Sequence, residues 1–167
     1  ASSLESLRCG PPEVLTEEHL EMRLRERAAQ SDGSHADWIR GVGYHESVAG
    51  DIDRAWLDRV VPDRPVRIQH RSGRLWIVNS RGLAQLAAGA GQPGTVPSPD
   101  HDALAAGRLL DADRWLRERL GGQPPALHRV SARLASFGVT GVTDAGARNS
   151  PEEYRHFVKC TARGELQ

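Results

Sequence analysis

An α/β fold is what this sequence predicts, on three observations. First, Leu127, Val130, Leu134 and Phe137 repeat at helical spacing and stop at Gly138, a residue able to take the left-handed conformation that many helix C-termini need. Second, Val139-Thr140-Gly141-Val142-Thr143 follows, short and β-branched, as a buried parallel strand is. Third, after Asp144 and a loop opened by Ala145-Gly146, Ser150-Pro151-Glu152-Glu153 starts another helix. Ser150 caps it, Pro151 suits the first helical position and Glu153 completes a capping box. The chain is organised around this helix–strand–helix unit, with a carboxylate at the strand end where α/β folds place their chemistry.

Composition sets the bounds. A chain of 167 residues can form one domain with a real core. Its 22 basic and 22 acidic residues cancel, so charge favours neither nucleic acid nor an anionic membrane as partner. Lys159 is the only lysine, an arginine bias most simply read as genomic base composition. Cys9 and Cys160 lie far apart with no metal or redox spacing, which points to a reducing cytoplasm. No apolar run has the length of a membrane span or a signal-peptide core. The chain begins Ala1-Ser2-Ser3 and closes just past its last helix, where a parallel strand would be expected to follow. The expectation is a segment of something larger.

Taken in order, Gly10-Pro11-Pro12 is the first break. Thr16 caps a helix with Glu17 and Glu18 in its first turn and Leu20, Leu24 and Ala28 on one face, fading at Ser31-Asp32-Gly33-Ser34. Residues Trp38 to Tyr44 read as a short strand running into a glycine-bent loop, His45-Glu46-Ser47. Asp53 caps a small helix (Trp56, Leu57, Val60) closed by Pro62. Pro65 to His70 alternates as a half-buried strand does, and Ser72-Gly73 turns it. Leu75 to Ala88 is apolar enough for a mostly buried helix, and Gly89 to Asp102, rich in Gly and Pro, reads as a mobile loop. Asp113 caps a further helix containing Trp115, Leu116 and Leu120, and Gly121 to Pro125 separates it from the Leu127–Phe137 helix.

Chemistry-bearing patterns are few. Gly89-Ala90-Gly91-Gln92-Pro93-Gly94 has the spacing of a dinucleotide loop but neither the preceding strand nor the following helix. A Walker loop is also out, since no glycine precedes Lys159. None of the seven histidines forms a His-x-His or His-x-x-x-His pair, so no metal site is expected from this chain alone. His45 and His70 stand at strand ends or the loops beyond them; His45-Glu46 beside Tyr44 could supply acid–base chemistry or anchor its loop. Arg74 could bind an anionic group or lie on the surface. Asp144 could act as ligand or base, or cap its loop. The four tryptophans are most simply core.

Four stretches in order carry a resemblance: Trp38-Ile39-Arg40-Gly41-Val42-Gly43-Tyr44, Pro62-Asp63-Arg64-Pro65-Val66, Ser72-Gly73-Arg74-Leu75-Trp76-Ile77-Val78-Asn79-Ser80, and Gly138-Val139-Thr140-Gly141-Val142-Thr143-Asp144-Ala145. With that spacing, over nearly the whole chain, the sequence resembles the YtcJ-like branch of the amidohydrolase superfamily. The resemblance implies a metal-dependent hydrolase of C–N bonds other than peptide bonds, such as amides and formamides, on a distorted (β/α)8 TIM barrel. It implies that this chain is a partial barrel segment with an inserted α+β lid. Residues 1–125 would hold the post-first-strand helix and the lid, and residues 126–167 a helix–strand–helix barrel unit. It departs from many relatives, which read Asp-Gly-His at Ser72-Gly73-Arg74 and Tyr-Asp-Glu at Tyr44-His45-Glu46. The family's ligands, a His-x-His, later histidines and a last-strand Asp, have no counterpart here, so the chain alone would hold no catalytic metal and hydrolyse nothing. A divalent, zinc-like metal is expected in the full-length enzyme. His45, Glu46, His70, Arg74 and Asp144 are then the residues expected to face a small-molecule substrate, and unpaired strand edges imply self-association. The alternative is a stand-alone, non-catalytic α/β binding module using the 44–47 and 70–74 loops.

Overall fold

The computed structural model describes residues 6–30, 38–89, 97–121, 127–143 and 151–166. In chain order the elements are β1 (Leu7–Arg8), α1 (Glu17–Ala29), β2 (Ile39–Tyr44), α2 (Glu46–Ala49), α3 (Arg54–Val60), β3 (Val66–His70), β4 (Leu75–Val78), α4 (Ser80–Ala88), α5 (His101–Ala106), β5 (Arg108–Leu110), α6 (Asp113–Leu120), α7 (His128–Ser136) and α8 (Pro151–Ala162). They divide into two compact units, one spanning Ser6–Gly122 and the other taking in Gln123–Gln167.

The larger unit is a mixed α/β fold. Its five strands lie side by side in chain order. β1, β2 and β3 run parallel, joined by helical crossovers; β4 and β5 return antiparallel. Alternation along the strands divides the buried side chains between two faces. On one face Ile39, Val66, Ile68 and Ile77 pack with Leu20 and Leu24 of α1, Val48 of α2, and Leu57 and Val60 of α3. On the other, Trp76, Val78 and Leu109 pack with Leu86 of α4 and with Trp115 and Leu116 of α6. Both helical layers are needed because a sheet with apolar residues on both faces must be covered on both.

Caps set most helix starts. Thr16 accepts from the His19 amide at 3.3 Å and Asp53 from the Trp56 amide at 2.9 Å, both as expected. At α1's other end Arg64 donates from Nη1 to the carbonyls of Arg27 and Ala28, both at 3.2 Å, where last-turn carbonyls lack helical partners.

Several expectations are corrected. Glu46-Ser47, read as part of a glycine-bent loop, opens the short helix Glu46–Ala49, which His45 caps. Leu75–Ala88 is not one helix: Leu75–Val78 is a strand paired with β3, and only Ser80–Ala88 is helical. Asn79 divides them, its carboxamide oxygen capping α4 by accepting from the Gly82 amide at 2.9 Å. Asp113 does not cap α6; Ala112 holds that position, and the Asp113 carboxylate accepts from the Trp76 indole at 3.1 Å. Val139–Thr143 is not a strand and not buried; Val142 is 57% exposed. Strand geometry needs a ladder partner, and no described residue pairs with this stretch. The Gly89–Asp102 stretch is not loop to its end: α5 begins at His101, capped by Asp100, and α5 and β5 were unread in the sequence; residues 90–96 of the stretch lie outside the described residues.

In the smaller unit Gly138, at φ 77°, ends α7 with two back-directed bonds, Gly138 N–H to the Ala135 carbonyl and Val139 N–H to that of Leu134. That is the paired C-terminal closure for which glycine is favoured. Pro151 opens α8 as expected, while Ser150, its expected cap, lies outside the described residues.

Candidate functional site

β2 and β3 are parallel, so their C-terminal ends deliver His45 and His70 to the same edge of the sheet. A β-bulge refines the placement. The register slips between Val42 and Tyr44, with Gly43 at φ 78°, a conformation that L side chains rarely adopt. By simple alternation Tyr44 would share a face with Arg40 and Val42. The extra residue turns it onto the core face instead, edge-on to His70 with ring centroids 6.5 Å apart. The Tyr44 hydroxyl donates to the Gly50 carbonyl at 2.6 Å, closing the 44–50 loop on itself. Burial, with the Glu46 charge adding to it, pushes that phenol up to about 12, so Tyr44 serves here as a neutral strut.

The two imidazoles stack, centroids 6.1 Å apart and planes 23° apart. Each ring is held in the same way. The Ser47 amide donates to His45 Nδ1 at 3.2 Å, and the Ser72 amide donates to His70 Nδ1 at 3.1 Å. The hydroxyls of Ser47 and Ser72 lie 2.8 Å from the same nitrogens. A backbone N–H can only donate, so each Nδ1 accepts and the neutral ring carries its proton on Nε2. Both Nε2 atoms converge on one oxygen, Glu46 Oε2, at 3.1 Å from His70 and 3.7 Å from His45. The Glu46 carboxyl is held below the usual carboxylate range, first by its own backbone N–H and then by His70 and His45. The His70 side chain is 13% exposed and that of Glu46 46%, so the cluster opens to solvent through the carboxylate.

This arrangement does not fit a divalent metal. Ligation through Nε2 would move each ring proton to Nδ1, against a serine N–H that points at the same atom. A metal-binding histidine has the reverse second bond, donating from its other nitrogen. Among the described residues no group of three or more His, Cys, Asp or Glu side chains could hold a metal ion. What the cluster can do is present two N–H donors and an exchangeable carboxylate to an incoming polar group.

The other expected residues stand apart. Arg74 is 65% exposed and is engaged by Asp111, donating from Nε to Oδ1 at 2.9 Å and from Nη2 to Oδ2. That pairing raises the Arg74 pKa further. Asp144 lies outside the described residues. The orienting role of Ser47 and Ser72 was missed in the sequence, although the signal is present: the step His-x-Ser occurs at both His45-Glu46-Ser47 and His70-Arg71-Ser72.

The profile of the amidohydrolase family matches residues 3–167, and the chain belongs to that family. Its fold is similar to crystal structures of two uncharacterized metal-dependent hydrolases. The one from Pyrococcus horikoshii OT3 has a TM-score of 0.55 at 18% identity, covering 99% of this chain and 32% of that one. The one from Pyrococcus furiosus has a TM-score of 0.56 at 20% identity, covering 99% and 33%. The chain therefore spans about a third of the length of these structures. No curated protein matches it. No helix among the described residues is long and apolar enough to cross a membrane.

Proposed function

We propose that this chain is part of a longer metal-dependent amidohydrolase of the YtcJ-like branch, which cleaves C–N bonds other than peptide bonds in small amides or formamides. One observation carries the reading: the family match runs through residues 3–167, while the chain spans about a third of two metal-dependent hydrolases with a similar fold. In this reading residues 1–125 include the inserted lid and residues 126–167 contribute to a (β/α)8 barrel, in a cytoplasmic enzyme. The divalent metal is held by residues outside this sequence; when bound, it polarises the carbonyl and acidifies a water. His45, Glu46 and His70 act in the lid, where a substrate oxygen displacing the Glu46 carboxylate takes up the Nε2–H donors that His45 and His70 present. Arg74 and Asp144 also face the substrate in this reading, with Arg74 held back by Asp111 until an anionic group competes for it.

The test compares two proteins. The longer enzyme should carry a divalent metal by elemental analysis and hydrolyse N-formyl or simple amide substrates. The 167-residue chain should do neither. Zinc at about one per chain together with amidase activity in the short chain would overturn the proposal.

A further inference from the structure

On the sheet face opposite His70, two arginines stand side by side with no ion-pair partner among the described residues. Arg40 of β2 and Arg67 of β3 are direct cross-strand partners, and the pleat puts both on the face away from Ile39, Val66 and Ile68. Tryptophans frame them. The Arg67 guanidinium lies 5.3 Å from the Trp38 ring and 5.6 Å from the Trp76 ring, and that of Arg40 lies 5.8 Å from Trp76.

Both tryptophans are held by neighbours. Gly82 of α4 lies flat against Trp38, so that a Cβ there would stand 2.9 Å from the ring. The Trp76 indole is tied to Asp113. The Nε atoms of Arg40 and Arg67 are buried without a hydrogen-bond partner. Their Nη groups are not buried and have no acceptor among the described residues. Loss of water, with the Arg40 charge adding to it, lowers the Arg67 pKa to about 10.

Like charges on facing residues of neighbouring strands repel, and desolvated charge without a partner is costly. Stacking on tryptophan recovers only part of that cost. What such a pair lacks is an oxyanion, whose oxygens can each take an N–H from a guanidinium fork. We propose that Arg40 and Arg67, framed by Trp38 and Trp76, bind a carboxylate or phosphate group carried by a small molecule. This site is independent of the His45–Glu46–His70 cluster and of the hydrolase reading.

Arginine modification tests it in the native protein. Phenylglyoxal labelling, mapped by mass spectrometry, is followed with inorganic phosphate or acetate as the probe. For a dissociation constant of about 1 mM, about 10 mM probe should slow modification of Arg40 and Arg67 roughly tenfold. Exposed Arg81 should react at an unchanged rate. Protection by phosphate at the lower concentration assigns a phosphoryl ligand, and protection by acetate at the lower concentration a carboxylate; either supports the site. Arg67→Gln should abolish the protection of Arg40. If that variant does not fold, the pattern in the unaltered protein decides. Unprotected Arg40 and Arg67, or equal slowing at Arg81, would overturn the proposal.

Discussion

Asn79 shows how one side chain can hold several backbone segments at once. It is fully buried, and all of its hydrogen-bonding capacity is used. Its oxygen accepts from the amides of Val66 and Gly82, both at 2.9 Å, and its nitrogen donates to the carbonyls of Val61 at 3.0 Å and Arg64 at 2.8 Å. The start of β3, the loop before it and the first turn of α4 thus meet on one carboxamide. Asn79→Ala leaves the Val66 amide and two carbonyls buried and unanswered and removes a helix cap. The expected cost is about 3 kcal/mol or more, read as a lower urea midpoint at unchanged slope. A loss under about 1 kcal/mol would show that water replaces the amide readily. Asn79→Asp should be no milder, because it turns a donor into a carboxylate facing two carbonyls.

At the scale of elements, α4 is fitted to the sheet by absence of a side chain. A Cβ on Gly82 would stand 2.7 Å from Val78 Cγ1 and 2.9 Å from the Trp38 ring. Alanine gains up to about 1 kcal/mol over glycine in a helix interior, less in the first turn where Gly82 sits, while overpacking costs about 1–3 kcal/mol. Gly82→Ala should therefore gain nothing in thermal stability and should shift the near-ultraviolet dichroism of the tryptophans; a clear rise in melting temperature would contradict this packing. The same region shows what a sequence reveals. Helices with a cap and a clear apolar repeat, such as that of Thr16, Leu20 and Leu24, were legible, as were strands beside a glycine turn. Leu75–Val78 was not, because four apolar residues carry no period of their own, and only pairing with β3 makes them a strand. Val139–Thr143 fails in the opposite direction: its residues favour a strand, but among the described residues nothing completes the ladder. Of the candidate site, His45, Glu46 and His70 were visible from their positions at strand ends. Their shared tautomer was not, since it depends on where two serine amides point.

For the whole molecule, the smaller unit leaves large apolar side chains in water: Phe137 is 72% exposed, and Val142, Tyr154 and Val158 are exposed as well. Apolar groups crowded on a surface are a route to association. The isolated chain should give a mass by light scattering that rises above 18.3 kDa with concentration, and Phe137→Asp with Val142→Asp should lower it. A constant 18.3 kDa over a wide concentration range would remove this expectation. A last consequence follows from the order of the sheet, in which every strand lies beside its predecessor in the chain. During synthesis, each strand leaving the ribosome finds its neighbour already made, and no strand must wait for a later one to fill a gap. Assembly of the sheet can thus keep pace with translation, growing outward from β1 with β5 closing the far edge.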